Sequence, residues 1–179
     1  YNPEQGNKKH KYYNAHYYAD NVLPSSKLTP YMFVNTLHDL QAMHLLPSAN
    51  YALSRNLDAS TTKRWDKGRG FLPIGNDELS FSGNFDGNSF TISNLYINRP
   101  NKDYIGLFGF ASSSPFDFSP IENIGISFFI ITGHKSVGSL IEAAQFVTIN
   151  HIVAYEKDHV KGIDYIGGLV GQEIAICKY

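Results

Sequence analysis

The sequence predicts an all-β chain, a right-handed parallel β-helix (solenoid) with one short N-terminal helix. Three observations predict it. Apolar residues alternate with polar ones over short stretches, and no long helical period intervenes. A glycine-rich apolar tetrapeptide recurs. A polar turn residue precedes it at a set place in each unit.

The first unit, Ile92-Ser93-Asn94-Leu95-Tyr96-Ile97, is followed by Gly106-Leu107-Phe108-Gly109. The second, Ile121-Glu122-Asn123-Ile124-Gly125-Ile126, is followed by Gly138-Ser139-Leu140-Ile141. The third, Ile149-Asn150-His151-Ile152, is followed by Gly168-Leu169-Val170-Gly171. The opening isoleucines are 29 apart (121 minus 92) and then 28 (149 minus 121), within the period of roughly 20–50 residues that marks stacked repeats. On this alignment Asn94, Asn123 and His151 occupy one turn position. They are expected to stack about 4.8 Å apart, with Asn side chains bonding along the stack and tolerating left-handed backbone.

The remaining elements follow in order. Residues 1–30 are polar and Tyr-rich and read as an extended connecting arm; residues 31–179 read as the β-helix segment. Within the arm, Lys8-Lys9-His10-Lys11-Tyr12-Tyr13 has the mix of charge and aromatic rings that binds nucleic acid. The patch is short and the chain's net charge is −1, so no nucleic-acid partner is expected. Tyr31 to Leu46 holds the one predicted helix, with Thr36-Leu37-His38-Asp39 as a capping box and Pro47 discouraging continuation. Its expected face is Leu37, Leu40, His44 and Leu45. His38 and His44 are spaced as surface residues, not as a same-face metal pair.

Tyr51-Ala52-Leu53 opens the β region, and Thr61–Gly70 reads as a loop bulging from a rung. Phe71–Gly75 returns to the core. Phe81 and Phe85 share one strand face, and Asp86-Gly87 is a turn in which Asp caps the backbone and Gly takes positive φ.

Composition limits the function classes. The 179 residues suit one domain with a real core. Charged residues make up 17%, below the roughly 25% usual for globular domains. The single cysteine, Cys177, permits no intrachain disulfide, and no apolar run approaches the ~20 residues that span a bilayer. With neither a starting Met nor a signal peptide, the chain reads as a piece of a longer protein.

The ordered series Tyr31-Met32-Phe33-Val34-Asn35, Asp39-Leu40-Gln41-Ala42, Tyr51-Ala52-Leu53, Asn56-Leu57-Asp58-Ala59-Ser60, Gly70-Phe71-Leu72-Pro73-Ile74-Gly75 and Phe81-Ser82-Gly83-Asn84-Phe85-Asp86-Gly87-Asn88 resembles the filamentous-haemagglutinin-like exoproteins of bacterial two-partner secretion. The tetrapeptides at 106–109 and 168–171 resemble the GLUG repeat of bacterial surface proteins. The resemblance implies a right-handed parallel β-helix that is secreted or held at the bacterial cell surface. It also implies an outer-membrane secretion pore partner for the parent protein, and a role as an adhesin or stalk. Three departures stand out: Glu142 follows Ile141 where the family has glycine, His151 replaces Asn, and the family's secretion domain is not evident.

Parallel β-helices also house polysaccharide lyases and glycosidases, which need two facing carboxylates. Asp58, Asp66, Asp77, Glu78 and Asp86 are the acids to consider, but all read as turn or loop residues. No metal, cofactor or nucleophile motif occurs. The expectation is therefore a binding or spacer solenoid, not an enzyme and without a cofactor; the alternative is a carbohydrate-active β-helix enzyme. If the chain recognises a host-surface glycan or protein receptor, the residues expected to do so are Arg64, Trp65 and Arg69. Loops that leave a repeat carry specificity, and Trp and Arg are enriched at binding hot spots. The competing reading has Trp65 folding back over the solenoid.

Overall fold

The computed structural model describes residues 29–116, 118–155 and 158–173. The Tyr-rich stretch at 1–28 and Cys177 lie outside the described residues.

The chain winds into a parallel β-solenoid of about four turns with one short helix. Five strands form the first wall: β1 (Met32–Val34), β2 (Tyr51–Leu53), β4 (Phe85–Asp86), β8 (Ser119–Glu122) and β13 (Val147–Asn150). The second wall stacks β3 (Leu57–Asp58), β5 (Thr91–Ser93), β9 (Gly125–Ser127) and β14 (Val153–Ala154). The third stacks β6 (Tyr96–Asn98), β10 (Ile130–Thr132) and β15 (His159–Lys161). β11 (Lys135–Val137) pairs with β16 (Asp164–Ile166), while β7 (Phe108–Ser112), β12 (Ile141–Gln145) and β17 (Val170–Glu173) complete the circuit. Among the described residues every pairing between these strands is parallel, and one isolated bridge, Gly70 to Ile97, is antiparallel. Short strands suffice because stacking pairs each with at least one neighbouring rung, and inner strands such as β4, β9 and β12 with a rung on both sides, so the stack supplies the partners that a lone hairpin lacks.

The core follows from the alternation. Leu95, Ile97, Leu107, Ile126 and Leu140 are fully buried, and Ile124 is nearly so. Phe81, Phe85 and Phe108 pack ring to ring inside, with centroids 4.9 Å and 5.3 Å apart. Phe81 and Phe85 both point inward, but from different walls: Phe81 bridges to Ala111 and Phe85 pairs with Tyr51 and Ile121. Ile152 and Leu169 are only half-buried. Among the described residues, their rung has a neighbour on one side only.

The N-terminal edge is closed differently. The predicted Tyr31–Leu46 helix is shorter: β1 takes Met32–Val34, helix α1 spans Leu37–Ala42, and one 3₁₀ turn follows at Met43–Leu45. The capping box is present, with Asp39 N–H donating to Thr36 Oγ1 and Thr36 N–H donating to Asp39 Oδ2. Leu40 and Met43 enter the core, whereas Leu45 is 73% exposed. Met43, three residues after Leu40, shares its face, whereas Leu45, five after, points away.

The repeat register differs from the one read in the sequence. Ile92 stacks on Ile126, a step of 34 (126 minus 92), and Ile121 stacks between Phe85 and Ile149. The step of 28 between the second and third copies stands. The first step is longer because Ser112 and Ser119, seven apart, stack on Gln145 and Val147, two apart. Asn94 therefore shares a corner with Phe128, and Asn123 with His151. All four have φ between 51 and 58. Tyr104, Ser136 and Tyr165 line another corner with φ of 59, 55 and 48. Each of these corners thus turns on a left-handed residue.

Asp86 does cap its turn, accepting from Asn88 N–H at 2.7 Å, but the positive φ falls on Asn88 and Ser89. Gly87 is needed for space instead. A Cβ there would lie 2.5 Å from both Asn123 O and Ile124 Cβ.

Candidate functional site

The Thr61–Gly70 segment does not simply bulge out. Its first half, a 3₁₀ turn at Ser60–Arg64, stands where the third wall would have a strand. Buried Thr62 accepts from Tyr96 N–H at 3.0 Å and donates to Ala59 O at 2.6 Å. A threonine hydroxyl can do both, so it terminates the sheet edge without leaving a backbone donor unpaired. The second half, a 3₁₀ turn at Asp66–Gly68, runs through Asp66, Lys67 and Gly68 with φ of 47, 55 and 84.

The structure does not gather the three expected binding residues into one constellation. Trp65 folds back, half-buried against the core, with its ring stacked on His38 at 5.0 Å and 12°. His38 is thus a packing partner of the tryptophan. Arg69 is held by Asp66 at 2.5 Å. Arg64 is exposed and joins no ion pair among the described residues. Asp66 is also gripped by Arg99 at 2.8 Å, and the two guanidinium groups hold its carboxyl below the usual carboxylate range, Arg69 more strongly than Arg99.

Arg99 leads from this loop into a cleft that the sequence reading missed. Its Nε donates to Phe71 O, and its side chain is 10% exposed. The cleft encloses about 540 Å³, within the range of small-molecule sites. His44, in the 3₁₀ turn after α1, lines one side, and the helix is tied in by Gln41, whose amide donates to Leu72 O at 2.9 Å and accepts from Leu72 N–H at 2.8 Å. Leu72, Leu79 and Tyr104 provide apolar surface, and Arg99 and Lys102 bring positive charge. Asp77 and Glu78 stand on a loop whose turn is set by Asn76 Oδ1, which accepts from Glu78 and Leu79 N–H.

Asp103 is the third carboxylate of the cleft. Its Oδ1 accepts from His134 Nδ1 at 2.9 Å and from Lys135 N–H at 3.0 Å, and these bonds hold it below the usual range. It is therefore suited to staying ionised, not to donating a proton to a leaving group. The carboxyl held high is Glu142, which is fully buried and does not line the cleft. Among the described residues no cluster of three or more His, Cys, Asp or Glu side chains could hold a metal ion. Asp103 and the cleft escaped the sequence reading because their neighbours come from three separate rungs. Glu142 had left a signal, as the acidic residue in a glycine position.

Fold and surface together define a parallel β-solenoid segment with a helix at its N-terminal edge and a mixed-charge cleft beside it. The chain is similar to Halomucin of Haloquadratum walsbyi, 35% identical over 162 residues, which is 86% of this chain and 2% of Halomucin. It is also similar to a protein of Evansella cellulosilytica named as a Gly-rich membrane protein, 33% identical over 85 residues, 47% of this chain and 10% of that one. The chain therefore spans a small part of the length of these relatives. No family model matches it, and no solved structure does. No helix among the described residues is long and apolar enough to cross a membrane.

Proposed function

We propose that this chain is a segment of a secreted or surface-attached protein, working as a spacer and binding solenoid and not as an enzyme. The similarity to Halomucin over 86% of the chain carries the reading. The second relative is named as a membrane protein, and a stacked solenoid gains length without needing disulfides. The haemagglutinin-like resemblance points the same way. Export of the parent through an outer-membrane secretion pore, with a glycan or protein receptor beyond the cell, belongs to this proposal.

The cleft at Arg99, Lys102 and Asp77 is the better candidate for recognition, since Trp65 and Arg69 are already engaged within the chain. Labelling intact producer cells with an antibody raised against this chain tests location. Signal on unpermeabilised cells is expected, and signal only after permeabilisation overturns the reading. A glycan array tests recognition: binding lost in Lys102→Ala and kept in Trp65→Ala favours the cleft. Cleavage of a polysaccharide panel, lost on replacing Asp103 or Glu78, favours the enzyme alternative.

A further inference from the structure

The second repeat buries a glutamate where its neighbours carry glycine. The register that sets Ile141 between Phe108 and Val170 sets Glu142 between Gly109 and Gly171. Corner backbone packs over this column: Cβ atoms placed on Gly109 and Gly171 would lie 2.7 Å from Tyr104 O and 3.0 Å from Val137 C. Glu142 occupies the same wedge with 0% exposure, and no hydrogen bond of good geometry reaches Oε1 or Oε2.

The surrounding groups offer little compensation. β7 brings no titratable side chain. From β11, the Ser136 side chain lies close enough to favour the ionised form somewhat, while Lys135 is exposed. The Asp103 charge opposes ionisation, and Asp103 is itself tied to His134. β16 places Asp164 and Tyr165 in register with Lys135 and Ser136, and β17 places Glu173 in register with Ala144. Burial outweighs the rest and pushes the Glu142 carboxyl up to about 8.

We propose that Glu142 is a proton-operated latch: protonated, it is sealed beneath the Lys135–Val137 corner, and ionised, it loosens that corner from β12. A buried carboxylate whose charge only the Ser136 side chain favours is costly, and opening the nearest corner to water is the shortest relief. The folded-state value is raised, so the stability this group permits is complete below its unfolded value of 4.5 and is lost as pH climbs to about 8.

Denaturant unfolding of the full chain from pH 5 to pH 9 tests this, comparing wild type, Glu142→Gln and the exposed-loop control Glu78→Gln. The wild-type and control folding constants are expected to fall by up to about tenfold per pH unit between pH 5 and 8, with that slope absent in Glu142→Gln. Parallel profiles in all three overturn the latch. Should Glu142→Gln not fold, carbon-13 NMR titration of the wild-type Glu142 carboxyl decides. A midpoint well above 4.5, moving together with the Ser136 and Val137 amides, supports the latch. A midpoint near 4.5 overturns it.

Discussion

The Asn94 amide donates to Asp58 Oδ1 at 3.0 Å, linking a corner to the rung before it. The same link recurs at another corner, where Asn123 donates to Asp86 Oδ1 at 3.1 Å. In both, the aspartate ends a strand and caps its own turn, Asp58 accepting from Ser60 N–H and Asp86 from Asn88 N–H. One carboxylate oxygen thus secures a turn and the corner stacked on it. Asparagine suits the other end because it carries the donor and tolerates the left-handed backbone.

Two substitutions at Asn94 separate these contributions. Asn94→Gly keeps the φ of 58 accessible and loses only the side-chain bond, so about 1 kcal/mol of stability is expected to go. Asn94→Ala loses both, and a further 1 kcal/mol or so is expected. Equal midpoints for the two variants in chemical denaturation contradict this division.

Acid should weaken the corners. Hydrogen bonds, from Asn94 and Ser60 to Asp58 and from His134 and Lys135 to Asp103, hold these carboxyls below 3.8. A lowered folded-state value means that the stabilisation is present above the unfolded value and lost as pH falls through the folded one. Melting temperature is expected to drop from pH 4 towards pH 2, and less steeply in Asn94→Gly. Both groups are exposed, so the slope should be shallow.

Leu107 and Leu140 lie fully buried between rungs. Leu107→Ala or Leu140→Ala should each cost roughly 2–5 kcal/mol. Because a rung touches only its neighbours, hydrogen exchange should accelerate around the site before it does at α1. Unchanged midpoints are the contrary result.

Gly87→Ala tests close approach rather than backbone freedom. The added methyl would meet Asn123 O and Ile124 Cβ, and both belong to the stacked rung, so relief requires the corner to move. A loss of about 1–3 kcal/mol is expected. Asn88→Gly keeps its φ of 51 accessible and loses only the 3.4 Å bond from Nδ2 to Leu53 O, so it should cost less than Gly87→Ala. A Gly87→Ala protein as stable as wild type counts against the steric account.

Much of this architecture was legible from local chemistry. The capping box, the inward set from Leu95 to Leu140 and the Asp86 turn all depend on residues near one another in sequence, where propensity and alternation act directly. The shift of the buried face from Leu45 to Met43 was not legible, because a helix this short offers two adjacent apolar faces, and only packing on the first rung chose the one centred on Leu40 and Met43.

By itself the sequence determined that the chain is a β-solenoid, most of the residues that face inward, and that Asn94 and Asn123 sit where the backbone can turn left-handed. Only the tertiary structure decided which corner stacks on which. Asn94 and Asn123 look alike because each solves the same local problem, yet they belong to different walls. Local motifs report backbone conformation, whereas register depends on how many residues each distant turn consumes, and the longer passage from Ser112 to Ser119 offsets the first copy from the second. The same holds for function. Trp65 and Arg69 have the chemistry of a binding site, but His38, brought in by folding, and Asp66, three residues before Arg69 in the same loop, use that chemistry inside the chain. Glu142 is an ordinary acid in sequence, and it becomes a buried one only because the corner backbone closes over its column.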